Sequence, residues 1–237
     1  MDPSLLLWDV CTLSTPKDLT AVYQSISQGL RTPTAPISHL EFSTECLATC
    51  LCLGDKDLWA EYLESRILPP IFAGIPPIAS ISLRGTSGVA FPVGIFDSHA
   101  FRLVSSVEMT NCTFESPQAF RNLLKSFPMA TILVIDGLHW NDDETTPPYQ
   151  LSNIGPPALT ALRFRGITKH DFVRTILSGS YLSSVVELLY YSHPDNSQRL
   201  APLAELLVAL GPNLESLGLD ILNCLAPPYL ILSQLYS

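Results

Sequence analysis

Apolar residues recur along the chain with the spacing L-x-x-L-x-L. The pattern is read at Leu5-Trp8-Val10, Ile37-Leu40-Phe42, Ile78-Ile81-Leu83, Val104-Val107-Met109, Ala130-Leu133-Ile135, Leu159-Leu162-Phe164, Val185-Leu188-Tyr190 and Leu214-Leu217-Leu219. Successive windows start 32, 41, 26, 26, 29, 26 and 29 residues apart. A period of that length marks stacked supersecondary units, each burying its apolar side against its neighbours. Alternation inside each window predicts a short strand with one buried face, so strands are expected near 5–10, 37–42, 78–83, 104–109, 130–135, 159–164, 185–190 and 214–219. Two features that play no part in choosing the windows repeat with them. Proline stands two residues ahead of the first apolar position at Pro3, Pro76, Pro128, Pro157 and Pro212. The ninth position is apolar at Leu13, Cys112, Leu138, Ile167 and Leu222.

The connecting segments carry helix signals. Thr15-Pro16-Lys17-Asp18-Leu19, followed by Val22, Tyr23 and Ile26, parallels Ser116-Pro117-Gln118-Ala119-Phe120, followed by Leu123, Leu124 and Phe127. In both, a hydroxyl is placed to cap free backbone N–H groups, and proline takes the first turn, where its missing donor costs nothing. Further helices are expected to begin near Asp55, Thr168 and Ser197, and Leu58-Trp59-x-x-Tyr62-Leu63 accounts for the 41-residue spacing.

One strand and one helix in each unit of about 26 to 29 residues resembles the leucine-rich repeats of the ribonuclease-inhibitor kind. The phrases Pro212-Asn213-Leu214-Glu215-Ser216-Leu217-Gly218-Leu219 and Ser126-Phe127-Pro128-Met129-Ala130 resemble the irregular repeats of fungal F-box and leucine-rich-repeat proteins. The resemblance covers residues 3–222. It implies an α/β leucine-rich-repeat solenoid, with a curved parallel sheet on the concave face and helices on the convex face. Residues 1–237 then form a single irregular domain of about eight repeats. In that family an F-box, a helical segment ahead of the repeats, docks the chain to the adaptor of a cullin ubiquitin ligase, and the repeats read the substrate. Here the first window begins at Leu5, and Leu68-Pro69-Pro70-Ile71-Phe72, which echoes an F-box opening, lies inside the array. The expectation is therefore the substrate-recognition part of such a receptor without a visible F-box, which puts its docking to the ligase adaptor in doubt.

Side chains alternate along a strand, so the third, fifth and seventh positions of each repeat are expected on the concave face. Eight strands span about 40 Å there, enough to cradle a folded protein partner. The first repeat offers Leu7, Asp9 and Cys11, and the middle of the face is rich in serine. The fifth to seventh repeats offer Ile132, Val134, Asp136, Arg163, Arg165, Glu187, Leu189 and Tyr191. Arg and Tyr beside exposed aliphatics are the composition of a binding hot spot. The plainer reading is that Arg163, Glu187 and Asp136 neutralise one another across neighbouring strands. Trp140, in the loop Leu138-His139-Trp140-Asn141-Asp142-Asp143-Glu144, extends the patch unless that acidic run is simply a solvated turn.

Composition narrows the function classes. Thirteen Lys and Arg against 22 Asp and Glu give a net charge of −9, which repels phosphate backbones, so no nucleic acid is expected. Twenty prolines among 237 residues rule out long uninterrupted helices. The uncharged stretches Ile67 to Leu83 and Ile221 to Ser237 are broken by Pro69, Pro70, Pro76 and Pro77 and by Pro227-Pro228, so no membrane span is expected. The six cysteines have no secretory pattern and the N-terminal residues no signal-peptide charge, which points to the cytoplasm or nucleus; the sequon Asn111-Cys112-Thr113 is then unused.

Catalytic patterns are absent. Gly85-Thr86-Ser87-Gly88-Val89 lacks the last glycine of a nucleophile elbow. Cys46, Cys50 and Cys52 lack the second pair of a zinc site, and His39, His99, His139, His170 and His193 have no ligand spacing. The sequence thus predicts a protein-binding scaffold with no catalytic residues, metal or cofactor. The alternative is a hydrolase-like enzyme using loops on the solenoid rim, with Asp142, Asp143 or His139. Repeat arrays need polar ends, yet this chain runs out through the apolar segment Leu222 to Leu232. A fragment of a longer array, or end-to-end self-association, is expected from that.

Overall fold

Eight short strands lie side by side in chain order. They are β1 (Val10–Leu13), β2 (Ile37–Ser43), β3 (Ile78–Arg84), β4 (Ser106–Phe114), β5 (Ile132–Trp140), β6 (Ala161–Arg165), β7 (Glu187–Ser192) and β8 (Ser216–Ile221). The computed structural model describes residues 10–15, 17–18, 21–22, 24, 37–44, 73, 77–86, 96, 99–140, 159–165, 180–192 and 200–221. The sheet order is β1 to β8 without a crossover in order, and every neighbouring pair is parallel. Among the described residues two α-helices, α1 (Pro117–Lys125) and α2 (Leu200–Leu210), accompany the open sheet of this α/β fold. Among the described residues no helix is long and apolar enough to cross a membrane, and the stretch beginning at Ile67 ends in β3.

The register explains the period. Leu40, Ile81, Val107, Leu133, Leu162, Leu188 and Leu217, the fourth residues of their windows, are paired strand to strand, and so are the sixth residues from Phe42 to Leu219. As far as Leu188 and Tyr190 both rows lie in the core, where helix residues Phe120, Leu123 and Leu124 of α1 and Leu203, Leu206, Leu207 and Leu210 of α2 join them, while Leu217 and Leu219 of β8 are exposed. Each buried side chain contributes roughly 1.5–3 kcal/mol on leaving water.

The first repeat is displaced from the expected position. Residues 5–9 of the expected strand lie outside the described residues, and in β1 it is Cys11 that pairs with Leu40 and Leu13 with Phe42. Cys11 and Leu13 therefore hold the fourth and sixth positions, so the window reads Trp8-x-x-Cys11-x-Leu13 and starts 29 residues before Ile37. Cys11, expected on the open face, is a core residue. The N-terminal run of leucines satisfies the apolar pattern in two phases, and pairing with β2 selects one. Pro3 thereby loses its place as a repeat marker.

Rim hydrogen bonds follow the same period. Ser105 Oγ donates to Ala79 O, Thr131 Oγ1 to Ser105 O, and Thr160 Oγ1 to Thr131 O, at 3.1, 3.1 and 3.2 Å. All four residues hold the second window position, so each hydroxyl secures its repeat to the one before.

A second column lies at the eighth position. Asn111 (φ 51°) and Gly137 (φ 68°) adopt left-handed backbone on adjacent strands, between the pairs Thr110–Asp136 and Cys112–Leu138. This turn shifts the alternation by one residue and sends the ninth residues, Cys112 and Leu138, into the core. The helix caps are formed too. Thr15 N donates to Asp18 Oδ2 (2.7 Å) while Asp18 N donates to Thr15 Oγ1 (3.3 Å), a reciprocal capping box. In α1, Ala119 N donates to Ser116 Oγ at 3.2 Å. Ser116→Ala is expected to lower stability by about 1 kcal/mol, read as a shift in the urea midpoint with unchanged slope.

Candidate functional site

The odd window positions stand on the face of the sheet away from the helices. Three rungs cross β5 to β8: Ile132, Ala161, Glu187 and Ser216; Val134, Arg163, Leu189 and Gly218; and Asp136, Arg165, Tyr191 and Asp220. The structure thus brings Ile132, Val134, Asp136, Arg163, Arg165, Glu187, Leu189 and Tyr191 together on neighbouring strands. Trp140 ends β5, and its side chain lies outside the described residues, as do Asp142 and Asp143.

The charges in this patch are organised within it. Arg163 donates from Nε (3.1 Å) and Nη2 (3.0 Å) to Oε1 of Glu187 on the next strand. Both side chains stay about one-third exposed, so the pair contributes well under about 1 kcal/mol to stability. Its effect is to tie Arg163 to the neighbouring strand. The Arg165 guanidinium lies over the Tyr191 ring, 5.5 Å from its centroid, a contact worth roughly 0.5–1 kcal/mol at an exposed position. Asp136 stands in register with Arg165 without an ion pair between them. Cross-strand neutralisation therefore operates at Arg163 and Glu187, while Arg165 lies beside a tyrosine and forms no ion pair among the described residues. Val134, expected to be exposed, is only 9% exposed although it is not in the core cluster. It sits mid-sheet in the rung of Arg163 and Leu189, so the apolar surface on display comes from Ile132 and Leu189.

The other half of the open face is polar. Arg84 Nε donates to Glu41 Oε1 at 2.8 Å, and Ser82 Oγ donates to Glu108 Oε2 at 3.1 Å. His39 Nδ1 lies 2.9 Å from Ser80 Oγ, which resembles a Ser–His dyad by distance. The Ser80 hydroxyl, however, donates to Ser38 O at 2.8 Å. Its oxygen is then the acceptor for the imidazole N–H, and the ring does not serve as its base. Sequence reading missed this network, whose signal is the polar residues at odd positions of β2 to β4. Among the described residues no three His, Cys, Asp or Glu side chains cluster to hold a metal ion, and Cys46, Cys50 and Cys52 lie outside those residues.

The two described thiols are buried in the core. Burial, with the nearby Asp18 charge, pushes Cys11 up to about 12. Burial pushes Cys112 up to about 12 as well, against backbone hydrogen bonds at Thr110 and Gly85 that pull it down. The Cys112 thiol donates to Leu83 O of the preceding repeat at 3.3 Å. A thiol whose folded pKa is raised adds no pH dependence below its unfolded value near 9. Above that the unfolded chain sheds the proton and the folded chain keeps it, so stability falls between about pH 9 and 12. Neither Cys11 nor Cys112 should react with iodoacetamide at pH 8 until denaturant is added, as peptide mass mapping will report.

No protein-family model matches the sequence, and no curated protein or solved structure matches it significantly.

Proposed function

We propose that the chain is a leucine-rich-repeat-type solenoid that binds a protein partner on the open face of its sheet and catalyses no reaction. The observation that carries this reading is the patch on β5 to β7, where Arg163 is fixed by Glu187, Arg165 rests on Tyr191, and Ile132 and Leu189 stand beside them. An Arg and a Tyr held in place before binding lose little side-chain entropy when a partner arrives. They are also the residue types that dominate interface energetics. The thiol of Cys112, at the ninth position, bonding to the previous repeat supports the repeat assignment, because that position carries Asn or Cys in leucine-rich repeats. The resemblance of two repeats to those of F-box proteins supports, within this class, the substrate-reading part of a ubiquitin-ligase receptor.

The test is a triple substitution, Arg163→Ala, Arg165→Ala and Tyr191→Ala. With a partner identified by affinity capture and quantified against the wild-type chain, binding should weaken by at least about 30-fold, the equivalent of one 2 kcal/mol hot spot. The circular dichroism spectrum should not change, since the three side chains lie outside the core. Undiminished binding by the triple variant sinks the proposed surface.

A further inference from the structure

The rim on which the chain enters its strands carries an exposed row that the repeats do not require. In the fourth and fifth repeats the chain turns into its strand through equivalent pentapeptides, His99-Ala100-Phe101-Arg102-Leu103 and Lys125-Ser126-Phe127-Pro128-Met129. The middle phenylalanine of each is buried, and the turns are closed by Val104 N to Phe101 O and Ala130 N to Phe127 O. The outer residues of both face solvent: His99 and Lys125 are exposed, and Leu103 and Met129 are 59% and 54% exposed. Both turns, α1 and the two strands they enter lie in the unbroken described stretch 99–140. The fold does not need apolar residues here. In the seventh repeat Val185 N closes the same turn on Leu182 O at 3.1 Å with Ser184 in the place of Leu103 and Met129. In the third repeat that place is held by Pro77, also exposed. Charge is sorted along the same rim. Residues 65–96, 98–107 and 116–135 contain none of the chain's 22 Asp and Glu. Arg102 and Lys125 are exposed and form no ion pair among the described residues. A protein with a net charge of −9 thus shows a basic, apolar strip across three neighbouring strands.

We propose that this strip, separate from the open-face patch, docks an acidic amphipathic helix of a protein partner. The helix sets its apolar side on Pro77, Leu103 and Met129 and its carboxylates toward Arg102 and Lys125. Neighbouring strands lie about 4.8 Å apart, so the row of three spans about 10 Å. Helix positions i, i+3 and i+7 cover the same length at about 1.5 Å per residue, which is the anchor pattern of a helix laid on an apolar surface. Carboxylates on its flanks supply the charge that the rim lacks, and opposite potentials across a contact fix its register. An anionic bilayer fits less well. It would face the whole molecule, whose net charge of −9 it repels, and Leu103 and Met129 offer little apolar area for insertion.

Two readouts on the full chain test this. In the first, hydrogen peroxide should oxidise exposed Met129 at least about tenfold faster than buried Met109, as peptide mass mapping reports. Equal rates would show the rim covered by the chain itself and overturn the proposal. In the second, the chain is used to select from a displayed library of random peptides of about 18 residues, five helical turns. The enriched peptides should be net negative, with apolar residues at i, i+3 and i+7, and should shield Met129 from peroxide. Their affinity should fall at least about tenfold for the double variant Leu103→Ser and Met129→Ser, and for Arg102→Gln with Lys125→Gln, while the circular dichroism spectrum stays the same. It should not change for the triple variant at Arg163, Arg165 and Tyr191, so this proposal and the open-face reading fail separately. Peptides without an acidic bias, peptides that bind the Leu103 and Met129 variant equally well, or a selection that enriches nothing would overturn it. So would Met129 shielded instead by vesicles of phosphatidylcholine and phosphatidylserine, which assigns the rim to lipid.

Discussion

Gly85→Ala will destabilise the chain by about 3 kcal/mol, at the upper end of what overpacking normally costs. A Cβ on Gly85 would stand 2.1 Å from Asn111 O and 2.5 Å from Cys112 Cα. These are backbone atoms of β4, fixed by their pairing with β5 and by the hydrogen bond from Gly85 N to Thr110 O at 2.8 Å. Relief requires β3 and β4 to separate where the eighth-position column crosses them. Gly218→Ala supplies the contrast. A Cβ there meets Leu189 Cδ2 at 2.2 Å, the far end of a side chain that can change rotamer, with no backbone atom within 4 Å. Urea midpoints should fall strongly for Gly85→Ala and by well under half as much for Gly218→Ala. Similar losses in the two variants would show that the Gly85 contact is not held rigidly.

Phe96→Ala is the second large effect, about 3–5 kcal/mol for a buried aromatic truncated in place. The Phe96 ring meets Phe42 of β2 at 6.0 Å, Phe101 at 5.1 Å and Phe127 at 5.8 Å between centroids, and Phe101 meets Phe127 at 6.1 Å. All four are fully buried. Phe101 and Phe127 are equivalent residues, each three before its window, in turns closed by Val104 N to Phe101 O and Ala130 N to Phe127 O at 3.2 and 3.0 Å. Phe96 therefore joins the second repeat to the fourth and fifth, and its loss leaves a cavity bordered by the rings of Phe42, Phe101 and Phe127. Met129→Ala, at an exposed site, should change stability by less than about 0.5 kcal/mol. A small effect of Phe96→Ala, comparable to that of Met129→Ala, would mean the surrounding rings close the gap.

The repeat period was legible in the sequence because the apolar positions are imposed locally: a strand between a helix layer and solvent needs the two-residue alternation, and a stack of equal units needs the same window each time. From Ile37 onward the windows are those that pair in register. The caps at Thr15 and Ser116 were readable for the same reason, since a hydroxyl reaches N–H groups within its own turn. The eighth-position residues Asn111 and Gly137 were also readable by period, as left-handed-tolerant residues one place before the apolar ninth residues Cys112 and Leu138. The proposed patch was half legible. Its residues follow from alternation, but which of them are free does not, because Arg163 is engaged by a carboxylate 24 residues away and Val134 is buried.

What the sequence alone determined is the unit: its strand, its caps, its apolar rows and the face each side chain takes, all set by interactions within one repeat. The tertiary structure decided what depends on the neighbouring repeat. It put Cys11 and Leu13 in the core of the first strand, because pairing with β2 breaks a tie that the leucine-rich N-terminal pattern leaves open. It gathered Phe42, Phe96, Phe101 and Phe127 into one cluster across 86 positions of chain. It also distinguished Leu217 and Leu219 from every equivalent pair, since burial in a stacked sheet depends on the next repeat as well as on the residue itself.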